Sequence, residues 1–133
     1  MIYEAFFIFN QLPHQLERDI EFKHVTTEFR PAIKHTRLYG CTGNFEVIGY
    51  GNDGVNEGLK VRLVSIVAPD EQRENELREL VKNVPVLHIT LSVSKDGAPK
   101  DTSKLAFDQP IPQDFGIISG LFGGFIGKPV FKA

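Results

Sequence analysis

The stretch VLHITLSVS, residues 86–94, alternates without a break: Leu87, Ile89, Leu91 and Val93 fall on one side, and His88, Thr90, Ser92 and Ser94 on the other. A period of two dictates a β-strand with an apolar face for a core and a polar face carrying an imidazole and hydroxyls. A second run, IEFKHVTTEF at 20–29, is also β-prone and ends at Arg30-Pro31. Here Val25, Thr27 and Phe29 share one predicted side, and Phe22, His24, Thr26 and Glu28 the other.

The remaining runs fit around these two strands. IYEAFFIF (2–9) is near-continuously apolar and β-prone, as expected of a central strand covered on both faces. NFEVIGY (44–50) and LKVRLVSIV (59–67) flank GNDGVNEG, whose Asn, Asp and Gly content favours turns, and read as an antiparallel hairpin. One helix is expected. It opens at Pro69-Asp70-Glu71, carries Leu77, Leu80, Val81 and Val84 at helical spacing, and stops before Pro85. Residues 13–18 have room for a short helical turn, and KDGAPKDTSK after the alternating strand reads as a polar loop. The tail from Phe115 is expected to add a last strand or two, with its glycines at bends or close backbone approaches. The predicted class is α+β, mostly antiparallel with few helices, in a single domain spanning residues 1–133.

Composition narrows the function. Fifteen basic against 17 acidic residues exclude a broad basic coat for duplex nucleic acid. A single cysteine, Cys41, forms no intrachain disulfide and no zinc cluster, which fits a reducing, cytoplasmic setting. The apolar N-terminus lacks the flanks of a signal peptide, and neither apolar stretch is long enough to span a bilayer, so no membrane association is expected. In the tail, Pro129 follows Lys128, so no phosphate-binding P-loop ending is present.

The chemistry lies in two matched triplets, HVT at 24–26 and HIT at 88–90. With six threonines in 133 residues, two such hits among four histidines make a rare coincidence. Because residues i and i+2 of a strand share a face, each histidine points the same way as its threonine. Brought together, the strands would line a cleft with two imidazoles and two hydroxyls. One neutral imidazole accepts a proton from the attacking nucleophile, while the other, protonated, gives one to the departing oxygen. The hydroxyls of Thr26 and Thr90 donate to the non-bridging oxygens of a phosphate ester. That chemistry requires no metal and no cofactor.

The paired motifs HVTTEF and HITLSV resemble those of the 2H phosphoesterase superfamily. The likeness is nearest in style to the cyclic phosphodiesterase domains of fungal and plant tRNA ligases and to the myelin cyclic nucleotide phosphodiesterases. GAPKDTSKL after the second motif is similar to the corresponding segment of the ligase-type members. The resemblance covers most of the chain and implies His24 and His88 as the catalytic pair, with Thr26 and Thr90 as substrate-binding hydroxyls. It further implies a bilobal sheet fold with the active-site cleft between lobes, and an enzyme that hydrolyses 2′,3′-cyclic phosphate ends of RNA or nucleotides to a 2′-phosphate. The alternatives are a binding module of the same fold without turnover, and a 2′,5′-phosphodiesterase or RNA 2′,5′-ligase. The expected partners are RNA ends or nucleotides, acting on a monomer. The interval between the histidines, 64 residues, is short for this family, and no attached ligase or kinase domain is expected.

The other candidates have plainer readings. His14 and His35 are expected to be structural. Arg30, Lys34, Arg37, Lys95, Lys100 and Lys104 follow the two motifs and serve equally well as steering charges or as solvated loop residues. Tyr50, Phe115 and Phe122 are assigned to core packing ahead of base stacking.

Overall fold

In the computed structural model, which describes residues 2–132, the hairpin organises the molecule. Preceding it are β1 (Tyr3–Ile8), β2 (Arg18–Asp19), β3 (His24–Phe29) and a 3-10 turn at Thr36–Leu38. The hairpin itself is β4 (Thr42–Asn52) and β5 (Asn56–Val67). After it come helix α1 (Glu71–Lys82), β6 (His88–Val93), a 3-10 helix at Pro99–Lys104, β7 (Ile117–Phe125) and β8 (Pro129–Val130). The strands form one sheet in the order β2-β6-β5-β4-β7-β1-β3, with β8 paired to β7 and every pairing antiparallel. The α+β class with few helices is therefore observed. Although β3 and β6 are far apart in that order, they come into contact, so the sheet curls until its two ends approach.

One face of the sheet holds the core. Phe6, Val25, Phe45, Leu59, Ile89, Leu91, Ile118 and Phe122 are buried there, and α1 adds Leu77 and Val81 from one stripe. Removing side chains of this size from water contributes about 1.5–3 kcal/mol each. The helix begins where expected because the Asp70 carboxylate accepts from the Arg73 backbone N–H at 2.8 Å, with Glu71 and Glu74 in the first turn and Lys82 in the last.

Several boundaries differ from the sequence reading. The predicted turn at 51–58 shrinks to Asp53–Val55, because the Asp53 side chain accepts from the backbone N–H of Val55 and Asn56 and so closes a tight loop. The strand expected at 20–29 starts only at His24, and just before that range Arg18 and Asp19, not expected in a strand, form β2 and pair with β6. Residues 13–18 hold no helical turn, and KDGAPKDTSK contains the second 3-10 helix, with Pro99 at its start. β1 is buried on both faces as expected but lies off centre, between β7 and β3. The tail supplies two strands. At Gly123 a Cβ would lie 2.5 Å from the Val130 carbonyl oxygen, the close approach for which glycine is needed.

A bulge in the β1–β3 pairing changes which residues of β3 face where. Ala5 pairs with Thr26 but Glu4 with Glu28, so Thr27 is the extra residue. An inserted residue reverses the alternation beyond it. Phe29, expected with Val25, joins the face of His24 and Thr26, while Glu28 turns to the opposite face beside Glu4.

Candidate active site

Away from the core, a cleft of about 510 Å³ is lined by both matched triplets: His24 and Thr26 from β3, His88 and Thr90 from β6. The strand ladder accounts for one wall. Phe7 pairs with His24, Ala5 with Thr26 and Tyr3 with Phe29, and on the other side of β1 Tyr3 pairs with Phe125. Tyr3, Phe29 and Phe125 thus reach the same cleft, joined by Phe22 and Ile20 from the segment before β3. From the opposite side come Pro99 and Lys100 of the second 3-10 helix.

The two histidines are held in the same way. His24 Nδ1–H donates to the carbonyl of Phe22 at 2.7 Å, and His88 Nδ1–H to that of Val86 at 3.0 Å, each two residues back along the chain. A proton fixed on Nδ1 leaves Nε2 as the exchangeable atom of each neutral ring. Tyr3 stacks on His24 with centroids 4.6 Å apart, its hydroxyl 3.4 Å from Nδ1. Burial pushes the Tyr3 phenol up to about 12, which keeps it neutral beside the imidazole. Burial also holds His24 below the ordinary histidine value. The Phe22 carbonyl opposes that shift, and positive charge on His88 adds to it. His24 is therefore suited to be the neutral partner, a proton acceptor near pH 7.

The threonines are not equivalent. Thr26 is half-buried and its hydroxyl has no hydrogen-bond partner among the described residues. Thr90 is only 8% exposed; its hydroxyl donates to Thr102 Oγ1 at 2.9 Å and lies 3.4 Å from the Pro99 carbonyl. Below it, the polar face of β6 is sealed. Ser92 donates to the buried Glu57 carboxylate at 2.7 Å, as does Tyr50 at 2.6 Å.

Of the basic residues noted in the sequence, only Lys100 lines the cleft. Arg37 pairs with Glu76, and Lys104 with Asp101 at 3.1 Å. Tyr50 and Phe122 are buried in the core and Phe115 packs against it. His35 is structural: its Nδ1–H donates to buried Glu4 at 2.7 Å. His14 lies 3.6 Å from Asp19 at the surface. Among the described residues, Glu4, Glu28 and His35 alone bring ligand atoms close enough for an ion. The Glu4 carboxylate is already bound by the His35 backbone N–H and ring and by the Tyr39 hydroxyl, and the group lies on the other side of the sheet from the cleft.

Sequence reasoning missed Tyr3, Ile20, Phe29, Pro99 and Phe125 as cleft residues. Tyr3 and Phe125 sit in runs too uniformly apolar for alternation to tell one face from the other. No family model, no curated protein and no solved structure matches this chain. No helix among the described residues is long and apolar enough to cross a membrane.

Proposed function

We propose that this chain is a 2H-type phosphodiesterase that opens the 2′,3′-cyclic phosphate of an RNA end or nucleotide to a 2′-phosphate, with His24 and His88 as its acid-base pair. The observation that carries this reading is that two triplets 64 residues apart in sequence line one cleft, with both imidazoles anchored through Nδ1 to the carbonyl two residues earlier. Among the described residues the cleft wall has no carboxylate, in a chain with a formal net charge of −2, and so favours an anion. In the bilobal form of this reading, β6-β5-β4 brings His88 to one side of the cleft and β7-β1-β3 brings His24 to the other.

His24 Nε2 takes a proton from water as the oxygen attacks phosphorus. The P–O3′ bond breaks, and O3′ leaves with the proton of His88, so a 2′-phosphate and a free 3′-hydroxyl result. Burial of His24 supports its role as base. The Thr26 hydroxyl donates to a non-bridging oxygen. Phe22, Phe29 and Phe125 offer planar faces for a base, as single-stranded nucleic-acid sites do.

The test is hydrolysis of a 2′,3′-cyclic nucleotide in the presence of a chelator by wild type, His24→Ala and His88→Ala, with the product separated by chromatography. A 2′-monophosphate from wild type alone is the expected result. Nucleotide binding without turnover by the wild type would make the chain a binding module instead.

A further inference from the structure

The two halves of the cleft differ in how they can hold a phosphate. On the His24 side the Thr26 hydroxyl is unengaged among the described residues. On the His88 side Thr90 is nearly buried and its hydroxyl is already engaged by Thr102, with the Pro99 carbonyl 3.4 Å away, so it is not free to serve a phosphate as Thr26 is. Some other donor must serve the His88 side.

We infer that Lys100 is that donor, and that Thr90 acts as a positioning residue which holds the segment carrying Lys100. This rests on the phosphodiesterase reading above and departs from an equal role for both threonines. The 3-10 helix that bears Lys100 is fastened at several points. The Asn56 side-chain amide donates to the Ala98 carbonyl at 2.7 Å and to Thr102 Oγ1 at 3.0 Å, and Thr90 donates to the same oxygen. Thr102 is fully buried, and its methyl lies so close over Gly58 that a Cβ there would collide with it. The backbone of Lys100 is thus fixed relative to His88 and Thr90 while its side chain is exposed. No acidic side chain among the described residues pairs with Lys100, whereas Lys104 of the same helix is neutralised by Asp101. An ammonium with three donors at the cleft wall supplies the positive charge that a metal-free phosphoryl transition state needs.

The experiment compares wild type with Lys100→Met, Lys100→Arg and Lys104→Met. It measures turnover of a 2′,3′-cyclic nucleotide, affinity for inorganic phosphate by calorimetry, and thermal unfolding. Lys100→Met is expected to lower kcat/KM by about 100-fold and to weaken phosphate binding by about tenfold with unchanged unfolding. Arginine should restore most of both, and Lys104→Met should match wild type. If wild type turns over and Lys100→Met stays within about threefold of it, the Lys100 assignment is wrong while the enzyme reading stands. If wild type binds phosphate without turnover, the reverse holds provided that Lys100→Met loses that binding; retained binding rejects the assignment as well. Wild type that neither turns over nor binds phosphate rejects both.

Discussion

The ring of Tyr3 lies over the imidazole of His24, with centroids 4.6 Å apart and planes 25° from parallel. Tyr3 in turn stacks on Phe125 at 4.9 Å and 8°, so the His24 ring rests on a column of aromatics from β1 and β7. Stacked pairs contribute about 0.5–1.5 kcal/mol beyond the area they bury. Tyr3→Phe keeps the column and should retain activity within about threefold. Tyr3→Leu removes it and should reduce kcat by about tenfold, with the His24 ring protons broadened in NMR spectra.

His24→Ala and His88→Ala should each lower kcat by about 10²–10⁴-fold, the usual contribution of one positioned proton-transfer group. The double variant should lose little more than the worse single one, because the two rings act in one concerted step. Single-turnover assays on a cyclic nucleotide measure both.

The depressed affinity of His24 for protons fixes two signs. In turnover, the acid limb of kcat/KM should have its midpoint below 6.5, the ordinary histidine value. In folding, the unfolded chain binds this proton more readily than the native one. Stability is then fully present above the unfolded value and falls as pH drops below it. Urea midpoints at pH 7.5 and 5.5 should therefore converge in wild type less well than in His24→Gln, which lacks the group.

Phe29 is 63% exposed, with the Arg30 guanidinium 5.5 Å from its ring centroid. Phe29→Ala should leave the unfolding midpoint nearly unchanged and raise KM for a cyclic nucleotide by about tenfold, within the range of one lost base stack. A cyclic phosphate without a base should be indifferent to the change.

Gly58→Ala places a methyl against Thr102 and the Ile89 carbonyl, the second of these 3.0 Å away. Overpacking of this kind costs about 1–3 kcal/mol, which urea titration would resolve.

That His24 and His88 share one cleft could be anticipated from the sequence because His88 and its neighbours alternate cleanly and His24 repeats the triplet. The face of Phe29 could not. A bulge is one residue of backbone with no side-chain signature, and it reverses the alternation on which the reading depends. The pairing of β2 was equally hidden, since Arg18 and Asp19 are exposed and bury nothing that would mark a strand. Thr90 looked equivalent to Thr26 because the residue that occupies it, Thr102, lies in a loop segment whose docking onto β5 and β6 depends on a contact 12 residues away.

Among the described residues, β7 alone pairs with both β4 and β1. Apart from the two-residue pairing of β2 with β6, the sheet path from the strand of His88 to the strand of His24 therefore runs through residues 117–125. A change that loosens this one strand would therefore slacken both walls of the cleft together, although neither histidine lies on it.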